Sequence, residues 1–208
     1  MRRALGSALI LVAAVSDPAA AHHVGVFIPK DDDITRNLKE IRFAAQAERP
    51  ELAVKLFDEG IVHTTMEKEE KRLPRGLEDG LRAALRRWDM PGTELRLAIV
   101  LAFLTRERLG DARARVHRLD LSPERRREQA RKLINAAWRY YNLADFVITA
   151  QDARRGVALR IGFEDAQTYL GGMMVDPMWA AAAAVKPAEP DEGKATAVLD
   201  GMARVLAR

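Results

Sequence analysis

An all-α fold, an antiparallel helical array or bundle of about seven to eight helices, is predicted from three features of the sequence. The composition is rich in alanine, leucine, arginine and glutamate, all strong helix formers, while aromatic residues contribute only 6% and leave little strand-favouring material. Apolar residues recur at spacings of three and four in one segment after another, the signature of helices with one buried face. Serine, aspartate, proline and glycine sit between those segments, where helix caps and turns need them.

The chain opens with Arg2 and Arg3, an apolar run from Ala8 to Val15, and small residues Ala19, Ala20 and Ala21. A basic start, a short apolar middle and a small-residue exit describe a secretory signal peptide. The run is shorter than the roughly 20 residues a membrane-spanning helix needs, so no transmembrane span is expected. Cleavage after Ala21 makes His22 the mature N-terminus, and the expected location is periplasmic or secreted. The leader takes two arginines and one aspartate from 34 basic and 30 acidic residues, leaving 32 and 29. That balance is too even for a nucleic-acid partner. The absence of cysteine excludes a disulfide framework, a thiolate metal site and a lipoprotein anchor.

Residues 22–33 are expected to form an extended N-terminal arm, since Val24 to Pro29 favours strand-like geometry. In the acidic run Asp31-Asp32-Asp33, one aspartate is expected to cap the following helix and the others to favour its N-terminal dipole. The helical domain is placed at 34–185. Its first helix spans Ile34 to Glu48, with Ile34, Leu38, Ile41 and Ala45 as the apolar stripe. Pro50 starts a second helix that turns Leu52, Leu56 and Phe57 inward. The segment from Ile61 carries His63, Met66 and Glu67 on one helical face. Leu73 to Gly76 is a turn. The next helix faces inward with Leu77, Leu81, Ala84, Leu85 and Trp88.

Met90-Pro91-Gly92 is expected to turn the chain, and Thr93 to cap a helix from Glu94 to Leu109 that Gly110 ends. Its eight successive apolar residues, Leu97 to Leu104, mark the centre of the core. A short amphipathic piece, Asp111 to Arg118, follows. Ser122 caps the next helix with Pro123 at its first position, and Ile134, Ala137, Trp138 and Tyr141 form its inward face to about Gln151. Residues 156–163 alternate in strand period, but their helical flanks favour helix. Beyond Gly171-Gly172, an alanine-rich helix from Ala180 to Val185 leads to a linker at 186–193. A C-terminal helix at 194–208 shows Ala197, Val198, Met202 and Val205 inward and is expected to dock loosely.

The spacing of Ala53, Phe57 and Gly60 resembles the second helix of a tetratricopeptide repeat. Gly110-Asp111 with Leu119, Leu121 and Pro123 is similar to the end of another. The full signature of about 34 residues is absent, so the resemblance implies helical-hairpin character and no family membership.

The candidate metal ligands are His22, His23, His63 and Met66. An N-terminal histidine offers its amine and its imidazole, and a second histidine completes a nitrogen set suited to copper(II). Met173, Met174 and Met178 bring soft sulfur but are expected to pack instead. The basic strip from Arg113 to Lys132 is interleaved with acids and reads as a solvated face. No nucleophile elbow, phosphate loop, zinc signature or di-iron motif is present. The expected function is therefore a non-catalytic interaction or assembly factor with a periplasmic protein partner. The alternative is a copper-binding accessory protein using the mature N-terminal histidine.

Overall fold

The computed structural model describes residues 31–172 and 189–207. It is all-helical, with no strand among the described residues. Among the described residues there are eight helices: α1 (Asp33–Gln46), α2 (Pro50–Asp58), α3 (Ile61–Lys68), α4 (Leu77–Arg86), α5 (Met90–Val116), α6 (Pro123–Gln151), α7 (Ala153–Tyr169) and α8 (Glu192–Leu206). The long helices α5 and α6 pack along each other as the spine of the molecule. The hairpin of α1 and α2, followed by α3 and α4, closes one side; α7 and α8 close the other. One continuous buried cluster runs through all eight, from Leu38 in α1 to Met202 in α8.

Most helix starts follow from cap chemistry. Asp32 caps α1 by accepting from the Thr35 amide at 2.8 Å, Ser122 caps α6, and Asp191 caps α8. Each satisfies an amide that has no partner within its helix. Asp152 both ends α6 and caps α7, accepting from the amides of Arg154 and Arg155. The turn between these helices is therefore a single residue.

Several boundaries and faces differ from the sequence expectation. Met90-Pro91-Gly92 is not a turn but the first turn of α5, capped by Asp89 rather than Thr93. Proline costs nothing there because first-turn amides lack helical partners. Gly110 does not end the helix either. Leu109, Ala112 and Val116 continue its buried stripe, and that burial outweighs the roughly 1 kcal/mol by which glycine disfavours a helix interior.

In α2 the inward positions belong to Ala53 and Phe57, while Leu52 is exposed. Trp88 falls beyond the end of α4 with φ 53°; it is half exposed and holds α1 by donating its indole N–H to the Ala45 carbonyl at 2.9 Å. Helix α8 begins before the expected position and docks closely. Ala195, Leu199 and Met202 are buried, and Ala197 is exposed.

Residues 156–163 are helical, as favoured. Leu159 and Phe163, four apart, are fully buried, whereas Val157 and Ile161 are about half exposed. The helical period decides which apolar residues go inside. Phe163 sits against Trp138 and Tyr141 with ring centroids 5.1 and 5.3 Å away. The arm at 22–30 and the segment 173–188, with its methionines and alanine-rich stretch, lie outside the described residues.

Candidate binding groove

The apolar run Leu97 to Leu104 is long enough to cover every side of α5. Six of its eight residues are buried; Ile99 and Ala102 are only half buried. With Leu95, Ala98, Phe103 and Arg106 they form a stripe at i, i+3, i+4, i+7, i+8 and i+11, one helical face. That face is only partly covered: Ala98 and Phe103 are buried, while Leu95, Ile99, Ala102 and Arg106 reach the surface. It forms the floor of a groove of about 510 Å³. The walls are the α3–α4 loop (Arg72, Leu73, Pro74), the end of α6 (Val147, Ile148, Gln151), Arg155 of α7, and Leu206 and Ala207 at the end of α8. An apolar concavity with a few fixed polar groups is the usual form of a binding site.

Among the described residues the charged groups lining this groove are Arg72, Arg106 and Arg155, and no carboxylate lines it. The guanidinium carbons of Arg72 and Arg106 lie 5.1 and 5.6 Å from the Phe103 ring centroid, a cation–π arrangement that holds both arginines at the rim. Hydrogen bonding to Glu107 and then to Glu69 pushes the Arg72 guanidinium above its ordinary value. Arg155 donates to the Val205 carbonyl at 3.0 Å, and its Nε is buried without a partner among the described residues. The lining contains neither imidazole, carboxylate nor hydroxyl. The described lining offers a ligand apolar contact and positive charge.

His63 and Met66 take separate positions. Met66 is buried in the core and packs in the cluster with Val62 and Phe57. His63 joins α3 to α4 and α2: its Nε2 is 3.0 Å from Glu78, 3.8 Å from Glu67 and 3.3 Å from the Arg82 guanidinium. Its ring meets Phe57 edge-on at 5.3 Å. Arg82 also donates to Asp58 and Glu78 at 2.8 and 2.9 Å, and these bonds, Asp58 first, raise its pKa. The imidazole thus lies in an ion-pair network with a guanidinium already seated beside it. Among the described residues no group of three histidine or carboxylate side chains is arranged to hold a metal ion. His22 and His23 lie outside the described residues.

The basic strip is largely paired. Arg113 meets Asp200 at 2.9 Å, Arg126 meets Glu192 at 3.0 Å, Lys132 meets Glu128 at 2.7 Å, and Arg131 donates to the Leu170 carbonyl at 2.7 Å. Two of these pairs tie α8 to α5 and α6. His117 is the cap at the end of α5, 3.4 Å from the Thr196 hydroxyl.

Sequence reasoning missed the groove. The available signal was that an eight-residue apolar run has more apolar faces than a helix with buried neighbours on some sides requires. Comparisons with protein-family models, with curated proteins and with solved structures return no match. Among the described residues no helix is long and apolar enough to cross a membrane.

Proposed function

We propose that this chain is a periplasmic, non-catalytic interaction or assembly factor that holds a segment of a partner protein in the groove along α5. The observation that carries this reading is the groove itself: a partly open apolar face flanked, among the described residues, by arginines and by no carboxylate. A concavity that combines apolar side chains with a few fixed charged groups is the usual form of a binding site. The leader at residues 1–21 supports the compartment.

The test is site-specific photo-crosslinking in cells. A benzophenone amino acid at Ile99, on the groove floor, is expected to give one discrete protein adduct. The same group at Asp79, whose side chain is 89% exposed on α4, is expected to give none. A smear of adducts at both positions, or no protein adduct at Ile99, refutes the reading.

A further inference from the structure

We infer that the occupant of the groove is an acidic amphipathic helix of the partner protein. Its apolar face would lie on Ile99 and Ala102 and its carboxylates would meet Arg106 and Arg155. This inference rests on the reading of the groove as the partner site and adds the chemistry of what fills it.

The shape of the floor selects a helix. From Leu95 to Arg106 the stripe rises about 16 Å, or about three turns, at 1.5 Å per residue. Ala98 and Ala102 are small and lie between Leu95, Ile99 and Phe103, so the middle of the stripe is a hollow. Ridges of side chains on one helix pack into such hollows on another at about 8–10 Å between axes. A partner with apolar residues at i, i+3, i+4 and i+7 matches this face in the helix-in-groove mode. An extended segment has no template, because among the described residues there is no strand edge to extend.

The charge distribution selects acidic flanks. Among the described residues three arginines line the groove and no acid does. Arg72 already has Glu69 and Glu107. Arg106 has no carboxylate partner among the described residues, and its guanidinium rests on Phe103. Arg155 spends one guanidinium nitrogen on the Val205 carbonyl and has no carboxylate partner among the described residues. A guanidinium whose donors are unfilled beside an apolar floor gains most from a carboxylate that arrives with an apolar face. The cations come from α5, α7 and the α3–α4 loop rather than from one spot. Carboxylates spread along a helix answer that spacing better than the single headgroup of a fatty acid.

The experiment uses the purified full chain and fluorescence anisotropy. The probe is a labelled amphipathic peptide of about 14 residues, long enough for three to four turns, with leucines at helical spacing and glutamates beside them. A twin carries lysine in place of each glutamate, and palmitate serves as a lipid probe. The glutamate peptide is expected to bind about ten-fold more tightly than its lysine twin, and Arg106→Gln to weaken it about ten-fold or more, as loss of one charge-assisted hydrogen bond implies. Ala102→Trp is expected to abolish binding with the melting curve retained.

Equal binding of the two peptides, or no effect of Arg106→Gln, overturns the inference. Palmitate binding one per chain and excluding a peptide that shows no charge preference assigns the groove to a lipid and also overturns it. So does a benzophenone at Leu95 that links only within the chain or to a second copy. If the peptides fail while the Ile99 adduct persists in cells, the chemistry of the occupant is wrong and the partner site stands. If the Ile99 adduct is absent, the site itself falls.

Discussion

Two helical glycines should respond to alanine with opposite signs. Alanine is favoured over glycine in a helix interior by roughly 1 kcal/mol, so Gly→Ala is ordinarily stabilising where space allows. At Gly110, in the middle of α5, a Cβ meets nothing within 4 Å, and Gly110→Ala should stabilise by about 0.5–1 kcal/mol. At Gly156, in the first turn of α7, the same Cβ would lie 2.2 Å from the Thr149 hydroxyl and 3.3 Å from the Thr149 Cα. Neither neighbour is free to leave. Thr149 is held near Asp145 and Arg160, and the Gly156 carbonyl accepts the Tyr141 hydroxyl at 2.9 Å. Overpacking a fixed contact costs about 1–3 kcal/mol. Set against the propensity gain, Gly156→Ala should destabilise by about 1–2 kcal/mol. At about 2–4 °C per kcal/mol for a chain of this size, a gap of about 1.5–3 kcal/mol should separate the two variants in Tm by about 3–12 °C. Urea and thermal melts followed by circular dichroism measure this, and Thr149→Ala should recover part of the loss in the Gly156→Ala background. A Gly156→Ala variant as stable as Gly110→Ala would refute the close packing of α6 on α7.

Three further outcomes are expected. Burial acts to raise the pKa of Asp32, but bonds from the Thr35 amide and the Tyr140 hydroxyl, with Arg139 nearby, outweigh it and hold the carboxyl below its ordinary value of 3.8. Such a group adds stability above its unfolded value, and that stability is lost as pH falls through the depressed one. Asp32→Asn should therefore flatten the loss of stability below about pH 4, as seen by denaturant melts across pH. Phe163→Ala empties the space between Trp138 and Tyr141 and should cost about 3–5 kcal/mol, with altered near-ultraviolet circular dichroism; a cost below 1 kcal/mol would contradict its burial. Ala102→Trp, which fills the groove rather than the core, should leave stability within about 1 kcal/mol of the parent, read by the same melts.

The helices were legible because caps and periodicity act locally. Ser122-Pro123 and the acids before Ile34 carry their own geometry, and 156–163 resolved to helix because Leu159 and Phe163 lie on one face. The failures occurred where burial across the molecule overrode local preference. Gly110 is a stop signal only if nothing beyond it needs to stay helical, and Leu109, Ala112 and Val116 do. The tail looked loosely attached because Ala197 and Val198 gave its face. Leu199 fills the core instead, and Arg113 and Arg126 fasten α8 through Asp200 and Glu192.

The groove was hidden for a different reason. Arg72, Arg106 and Arg155 are far apart in sequence, and Arg72 and Arg106 sit beside acids that make them look like ordinary surface charge. The fold sorts them: Glu69 and Glu107 turn to Arg72, while Arg106 and Arg155 are left facing an apolar floor. Charge counting along the chain sees near neutrality, but among the described residues the groove is lined by three arginines and no carboxylate. The same sorting separates the ligand candidates. His63 and Met66 are neighbours on α3 by spacing, yet one is buried in the core and the other is bound to Glu78 beside Arg82. A helix face shared in sequence becomes a shared site only if both side chains reach the same space. Here the residues brought to one space are the arginines and the α5 stripe, and it is there that binding should be sought.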